Sequence, residues 1–195
     1  MYNLKIIIAS TRPGRKAPAV ASWITAITRQ HPDFNVEVLD LATINLPFLD
    51  EPNHPMMQKY QHDHTRNWSR TIDAADAIIM VTAEYNHSFP APLKNALDFL
   101  YKEWNYKPVA FVSYGGIAAG TRAVQMLKQV VTALRMVPVV ESVNIPLFTK
   151  FINDQGQFIA DDTLNQSADD MMKELLKLTE EYVASSKLKK ITTGI

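Results

Sequence analysis

Runs of apolar residues along the chain are separated by segments in which apolar residues recur every three or four positions. The most uniform run, 77–81, has the length and composition expected of a strand buried on both faces. Four further runs predict the other strands, and they lie at 4–9, 34–41, 108–113 and 137–140. The pattern therefore predicts five strands.

Five segments between or after these strands carry an apolar stripe at helical spacing. They lie at 17–29, 58–73, from 90 onward, 118–135 and 165–185. Strand and helix alternate without a repeat or a linker, which indicates a doubly wound five-stranded parallel sheet in a three-layer α/β/α domain. We expect this single domain to cover residues 1–185, and the polar, basic tail 186–195 to fray.

The polar stretch 82–88 joins the central predicted strand to the helix that follows. Ser88 is placed to cap that helix, and Pro90 and Pro92 are tolerated in a first turn whose amides lack partners inside the helix. In an open parallel sheet, ligands bind at loops that leave the carboxyl ends of central strands. The stretch is therefore predicted to form the floor of a ligand site.

The loop after the first strand, 10–16, reads Ser-Thr-Arg-Pro-Gly-Arg-Lys and opens a helix. Hydroxyls, free amides, positive charge and a helix N-terminus are the parts of a phosphate site. Neither a Walker A motif nor a Gly-x-Gly-x-x-Gly motif follows any strand. If the strand order is 2-1-3-4-5, this loop meets 82–88 and the glycine-containing loop 113–120 at one edge of the sheet.

Composition narrows the class of ligand. The 195 residues carry 20 acidic and 20 basic side chains, so no net charge attracts a polyanion, and we expect neither nucleic acid nor an anionic membrane as a partner. No cysteine is present, which excludes disulfides and a thiolate nucleophile. No signal peptide and no apolar run of membrane-spanning length is evident. These features predict a cytoplasmic protein with a small-molecule ligand.

Three segments together resemble the signatures of the NADPH-dependent FMN reductase family, which has a flavodoxin-like fold and includes quinone and azo-compound reductases. The segments are 9–15, 84–98 with its Glu-Tyr-Asn-His-Ser and Leu-Lys-Asn-Ala-Leu-Asp motifs, and 113–116. The resemblance spans residues 4–140, and the loop 46–52 is similar as well. It implies the strand order 2-1-3-4-5, FMN as noncovalent cofactor and NADPH as electron donor.

The resemblance also implies which residues hold FMN. They are Ser10, Arg12, Arg15, Lys16, Ala17 and Pro18 at the phosphate, Glu84, Tyr85, Asn86 and His87 at the isoalloxazine ring, and Ser113, Tyr114, Gly115 and Gly116 where the site closes. Two residues depart from the family pattern. Ala9 replaces a glycine, and His87 stands where a glycine normally follows Asn86, so either the backbone there avoids positive φ or the imidazole touches flavin or substrate.

The function implied is that of an FMN-dependent NAD(P)H oxidoreductase, with a non-enzymatic flavodoxin-like electron carrier as the alternative. The chain offers no convincing catalytic acid–base pair, so the chemistry is expected to belong to the cofactor and to follow a ping-pong relay. Amides of 84–88 are expected to bind the pyrimidine edge of the ring, with Tyr85 acting through its backbone. The preference between NADPH and NADH stays open, as does the acceptor, which is a quinone, an azo compound, a metal oxyanion or free flavin.

Two further expectations concern partners and metals. The apolar helices near 90 and 117, with Phe99, Tyr101 and Trp104, predict a homodimer or homotetramer. His62 and His64 are not expected to bind a metal, because positions i and i+2 of a helix do not face each other.

Overall fold

Six parallel strands form the central sheet of the computed structural model, which describes the backbone of residues 1–193 and the side chains of residues 1–185. The strands are β1 (Tyr2–Ile8), β2 (Phe34–Asp40), β3 (Ala77–Ala83), β4 (Pro108–Tyr114), β5 (Val137–Pro138) and β6 (Val143–Ile145). Their order is β2-β1-β3-β4-β5, with β6 also paired to β4. The predicted order 2-1-3-4-5 and the flavodoxin-like architecture are confirmed.

The fifth position of the sheet is filled by two short strands rather than one. Both pair with β4: Val137 lies opposite Pro108, and Val143 lies opposite Val112. The chain thus advances six residues while its partner advances four, and the two extra residues bulge out between β5 and β6. Pro138 adds no N–H to the ladder, and Val140 in the bulge is exposed.

Helices cover both faces of the sheet, as predicted. They are α1 (Ala17–Thr28), α2 (Leu41–Ile44), α3 (Asp63–Asp73), α4 (Ala91–Asp98), α5 (Thr121–Ala133) and α6 (Asp162–Thr193). One core packs α1 and α6 against one face, and a second core packs α3, α4 and α5 against the other. Alternate strand residues serve the two cores, since Ile6 and Ile8 enter the first and Ile7 the second.

Several helix ends differ from the sequence prediction. Helix α3 begins at Asp63 rather than 58, because the carboxylate of Glu51 accepts hydrogen bonds from the amides of Gln61 and His62 and holds them in the preceding loop. Ser88 does not cap α4, whose N-cap is Pro90. Instead, the Ser88 backbone pairs with that of Tyr85. The short helix α2 follows β2 directly and was not predicted.

The last helix begins at Asp162 and continues to Thr193, beyond the predicted end at 185. The expected fraying of 186–195 stays a prediction, since residues 194 and 195 and the side chains of 186–193 lie outside the described residues. Among the described helices, none combines the length and the apolar content needed to cross a bilayer.

The aromatic argument for an oligomer is wrong. Phe99 and Trp104 are fully buried within one chain, because α4 ends at Asp98 and the following turn folds Trp104 back onto Trp68, with ring centroids 6.1 Å apart. Tyr101 is half-buried against the same core. These rings therefore offer no surface to a partner, and the oligomer itself stays a prediction.

Candidate functional site

Three loops meet at the carboxyl ends of β1, β3 and β4 and enclose a cavity of about 180 Å³. Nine of the fourteen predicted cofactor-binding residues line it: Ser10, Arg12, Arg15, Lys16, Glu84, Tyr85, Tyr114, Gly115 and Gly116. Ala83 and Phe148 complete the lining. The other five predicted residues adjoin the cavity along the chain without lining it, and they are Ala17, Pro18, Asn86, His87 and Ser113.

The loop after β1 turns sharply at Arg12–Pro13–Gly14–Arg15. The Arg15 amide donates to the Arg12 carbonyl at 3.1 Å, and Gly14 has a φ of +71°. Proline at the second position and glycine with positive φ at the third define a type II turn. This turn delivers the chain to Lys16, the N-cap of α1.

Arg15 is already paired within the protein. Its guanidinium donates to both carboxylate oxygens of Asp40 at 2.6 Å and to the Ser10 carbonyl at 2.6 Å. The hydrogen bond from Arg15 keeps the pKa of Asp40 below its ordinary value. Arg15 thus ties the loop to the end of β2 and is positioned to support a phosphate site from behind.

Arg12 and Lys16 remain available to a ligand. Both side chains are exposed, and neither makes an ion pair or side-chain hydrogen bond within the part of the chain that the structure describes. Helix α1 has no side-chain cap and no acidic residue in its first turn, so its terminal amides are not occupied by a carboxylate. Two cations and a helix N-terminus therefore surround one end of the cavity.

The loop after β3 is a tight two-residue hairpin. Tyr85 and Ser88 exchange both backbone hydrogen bonds, at 2.8 and 3.0 Å, and Asn86 and His87 between them have φ values of 51° and 68°. Positive φ at both central residues is the mark of a type I′ turn, for which Asn-Gly is the favoured sequence. His87 thus adopts the positive φ that a glycine would, and the expectation that the backbone might avoid it is wrong.

The hairpin leaves two donors free. The amides of Asn86 and His87 make no hydrogen bond among the described residues, and both residues are exposed at the rim of the cavity. The side chain of Tyr85 points the other way, with its hydroxyl 2.6 Å from the Ser10 hydroxyl. Tyr85 therefore contacts the loop after β1 through its side chain, in addition to the backbone role predicted for it.

Glu84 forms the inner end of this loop. Its carboxylate pairs through Oε1 with the guanidinium of Arg122, in the first turn of α5, at 2.6 Å from Nε. The other oxygen, Oε2, is buried and has no hydrogen-bond partner within the described part of the chain. The side chain is only 8% exposed. The cavity wall thus contains one buried acceptor that the protein does not use.

The third wall consists of Tyr114, Gly115 and Gly116. The Tyr114 ring is buried and meets Phe148 edge to face at 5.0 Å, and burial raises the pKa of its phenol, so it stays protonated. Gly120 returns the chain to α5 with a φ of +79°. A Cβ there would lie 2.9 Å from the Ser113 Cβ, so only glycine allows this approach.

A second cavity, of about 500 Å³, lies on the other side of the loop after β1. Its residues come from that loop, the segment after β2 and the first turns of α4, and they are Thr11, Leu41, Ala42, Asn45, Leu46, Pro47, Phe48, Ala91, Pro92 and Asn95. It contains no charged side chain.

The histidine pair does not form a metal site. The His62 and His64 rings stack at 5.2 Å, which the helix rule did not anticipate because His62 is the extended N-cap of α3 rather than part of it. His64 Nε2 lies 2.9 Å from a carboxylate oxygen of Asp50. Within the described residues, no group of three histidine, aspartate or glutamate side chains is placed to hold a metal.

The cavity fits FMN in its chemistry. Free cations and helix amides at one end suit a phosphate, and free amides beside a buried carboxylate oxygen suit the edge of a flavin ring. Its volume of about 180 Å³ is below the roughly 300–1,000 Å³ of typical ligand pockets. One chain therefore encloses only part of such a ligand.

Three residues of the site escaped the sequence reasoning. Asp40 ends β2 directly opposite Ile8 of β1, so a carboxylate at the end of a neighbouring strand was its signal. Arg122 stands in the first turn of α5, where a positive charge is unfavourable unless something holds it. Phe148 follows β6, which was not predicted, and carries no signal.

The chain resembles known proteins over most of its length. Residues 3–150 match the model of the family described as NADPH-dependent FMN reductase. An NAD(P)H-dependent FMN reductase of Schizosaccharomyces pombe is 40% identical over 148 residues, 74% of this chain and 74% of the relative. An NADPH:quinone oxidoreductase of Arabidopsis thaliana is 31% identical over 154 residues, 75% and 71% of the two chains.

A solved structure agrees with the fold. The flavoenzyme NAD(P)H:(acceptor) oxidoreductase FerB of Paracoccus denitrificans superposes with a TM-score of 0.71 at 18% identity, and the match covers 91% of this chain and 98% of that one.

Proposed function

Because the chain belongs to the NADPH-dependent FMN reductase family and is an FMN-dependent NAD(P)H oxidoreductase, we propose that it passes two electrons to a small organic acceptor in a ping-pong relay at the cavity between β1, β3 and β4. The observation that carries the proposal is the pairing, in one cavity, of an unoccupied phosphate site with unused hydrogen-bonding groups for a ring. Bound FMN would supply the redox chemistry, taking a hydride equivalent from NADPH and giving two electrons to the acceptor.

The loop after β1 would hold the FMN phosphate. Arg12 and Lys16 supply free cations, and the first amides of α1 supply donors aligned with the helix dipole. Arg15 would act indirectly, because its guanidinium is engaged by Asp40 and keeps the turn against β2. Charge-assisted contacts of this kind contribute about 1.5–3 kcal/mol each.

The hairpin after β3 would hold the ring. The free amides of Asn86 and His87 are fixed by the type I′ turn, so they need no reorganisation when a ligand arrives. Such donors stabilise the negative charge that a flavin gains on reduction. Pre-positioned donors, and not an acid–base side chain, are therefore the protein's contribution to the reaction.

Quinones are the acceptor class that we propose. A relative that is 31% identical is named an NADPH:quinone oxidoreductase, and the cavity is walled on one side by the buried rings of Tyr114 and Phe148. An electron carrier without enzyme activity is not favoured, because such carriers rely on an acidic docking face and this chain has no net charge.

Steady-state kinetics test the relay. A single cavity would serve NADPH and quinone in turn, so double-reciprocal plots of NADPH against a quinone are expected to give parallel lines. Intersecting lines would mean that both bind at once and would refute the shared site.

We also propose a homodimer, or a dimer of dimers, in the cytoplasm. Exposed apolar side chains cluster in the segment after β2, at Phe48, Leu49, Met56 and Met57, and Phe48 is 89% exposed. They lie beside the larger cavity of about 500 Å³. A second chain that covers this surface would shield the apolar groups and could enlarge the small cofactor cavity. The absence of cysteine suits a reducing compartment.

A further inference from the structure

The carboxylate of Glu84 is held in an unusual state. Arg122 engages Oε1 from the protein surface, while Oε2 faces inward, is buried and has no partner among the described residues. Glu84 also lines the cavity. An ionised oxygen that has lost water without gaining a hydrogen bond costs free energy, so native proteins seldom keep one without a use.

The unused groups around Glu84 form a pattern. An ionised carboxylate can only accept hydrogen bonds, and the next two free polar groups along the chain, the amides of Asn86 and His87, can only donate. The loop thus presents one acceptor and two donors. A complementary ligand edge carries one N–H and two carbonyls.

The oxidised isoalloxazine ring has this edge. Its pyrimidine part carries one N–H, the imide at position 3, between two carbonyl groups, and the ring has no other N–H. We propose that Oε2 of Glu84 accepts the hydrogen bond of this imide N–H, so that the side chain of Glu84, and not only the backbone of its loop, selects the flavin ring. This inference rests on the proposed function and assigns a residue to its specificity.

Arg122 has a supporting part in this arrangement. By binding Oε1 from a half-exposed position, it fixes the carboxylate and leaves Oε2 directed at the cavity. Arg122 does not line the cavity itself. The two residues therefore provide matched variants: Glu84→Met keeps the approximate side-chain volume and removes the acceptor, while Arg122→Met removes the same ion pair and keeps the acceptor.

The dissociation constant of FMN from each purified protein, measured by flavin fluorescence quenching, tests the proposal. Glu84→Met is expected to weaken binding by about tenfold or more, as loss of a charge-assisted hydrogen bond requires, while Arg122→Met stays within about threefold of wild type. Equal weakening by both variants would show that the ion pair only stabilises the loop, and unchanged binding by Glu84→Met would show that Oε2 does not meet the ring. Either result would overturn the proposal.

A second readout needs no variant. A neighbouring carboxylate disfavours loss of the imide proton, so bound oxidised FMN should release it at a higher pH than free FMN, by about one pH unit or more, in an absorbance titration. No shift, or a shift to lower pH, would contradict the proposal even if Glu84→Met failed to fold. Failure of the proposed function would look different, because the wild-type protein would then bind no FMN.

Discussion

Arg12 and Arg15 show how a single ion pair divides similar side chains between two roles. Both occur in the loop after β1 and both were predicted at the phosphate. Only the structure reveals that Asp40 engages Arg15 with two hydrogen bonds and leaves Arg12 free. Sequence reasoning identified the loop because its composition is distinctive, but it could not assign roles that depend on a partner 25 positions away.

Arg12→Ala is expected to weaken FMN binding about 10- to 150-fold, which corresponds to the roughly 1.5–3 kcal/mol of a charge-assisted contact with phosphate. Arg29→Ala is the matched control, since Arg29 is an exposed arginine at the opposite end of α1. Titration of the apoprotein with FMN gives both constants. Equal values for wild type and Arg12→Ala would place the phosphate elsewhere.

Tyr85→Phe separates side chain from backbone in the hairpin. The substitution removes the hydroxyl that lies 2.6 Å from that of Ser10 and leaves both hairpin hydrogen bonds in place. We expect most of the turnover to remain and FMN affinity to change by at most about 1.5 kcal/mol, the value of a neutral hydrogen bond. A loss of turnover above about a hundredfold, or ~2.7 kcal/mol of barrier, would instead make the hydroxyl a catalytic donor.

At the scale of elements, strands were predicted better than helix ends. The runs 77–81 and 108–113 became β3 and β4 almost unchanged, because strands buried on both faces are uniformly apolar. The start of α3 was predicted five residues too early, since the side chain of Glu51 captures the preceding amides from a distance in sequence. Likewise, the break between β5 and β6 depends on pairing with β4, which no local pattern records.

The contact between the loop after β1 and the end of β2 predicts a pH effect. The pKa of Asp40 is lowered from its ordinary 3.8 by the Arg15 hydrogen bond. A carboxyl group whose pKa is lower in the folded state stabilises the fold above its unfolded pKa, and this contribution is lost as pH falls through the folded pKa. Asp40→Asn should therefore be less stable than wild type near neutral pH, with the difference shrinking below about pH 3.8.

Urea unfolding of both proteins at several pH values measures this difference. Asp98→Asn is the control, because Asp98 pairs with Lys94 at the surface and should contribute little. A stability difference between wild type and Asp40→Asn that stayed constant from neutral to strongly acidic pH would contradict the assignment.

At the scale of the whole molecule, the fold was predictable because the alternation of strands and helices allows few arrangements. The order β2-β1-β3-β4 brings residues as distant as Ser10 and Tyr114 into one cavity, as the predicted order required. The oligomer surface was not predictable in the same way. Aromatic residues near 100 were taken as surface, but the reversal of the chain after α4 buries Phe99 and Trp104.

Light scattering at micromolar concentration tests the revised surface. We expect a mass of two or four chains of 22.0 kDa for wild type, and a shift toward the monomer for Phe48→Glu, which places a charge in the apolar cluster. Val140→Glu, at an exposed valine in the bulge between β5 and β6, should leave the mass unchanged. A fully active wild-type monomer would disprove the dimer.

The most direct test of the central claim is to mix the FMN-loaded protein with NADPH in the absence of oxygen and follow the absorbance of the flavin. The account predicts a yellow protein with noncovalent FMN that is bleached by NADPH alone and regains its colour when a quinone is added. A protein that binds no FMN, or whose bound FMN is not reduced by NADPH or NADH, would contradict it.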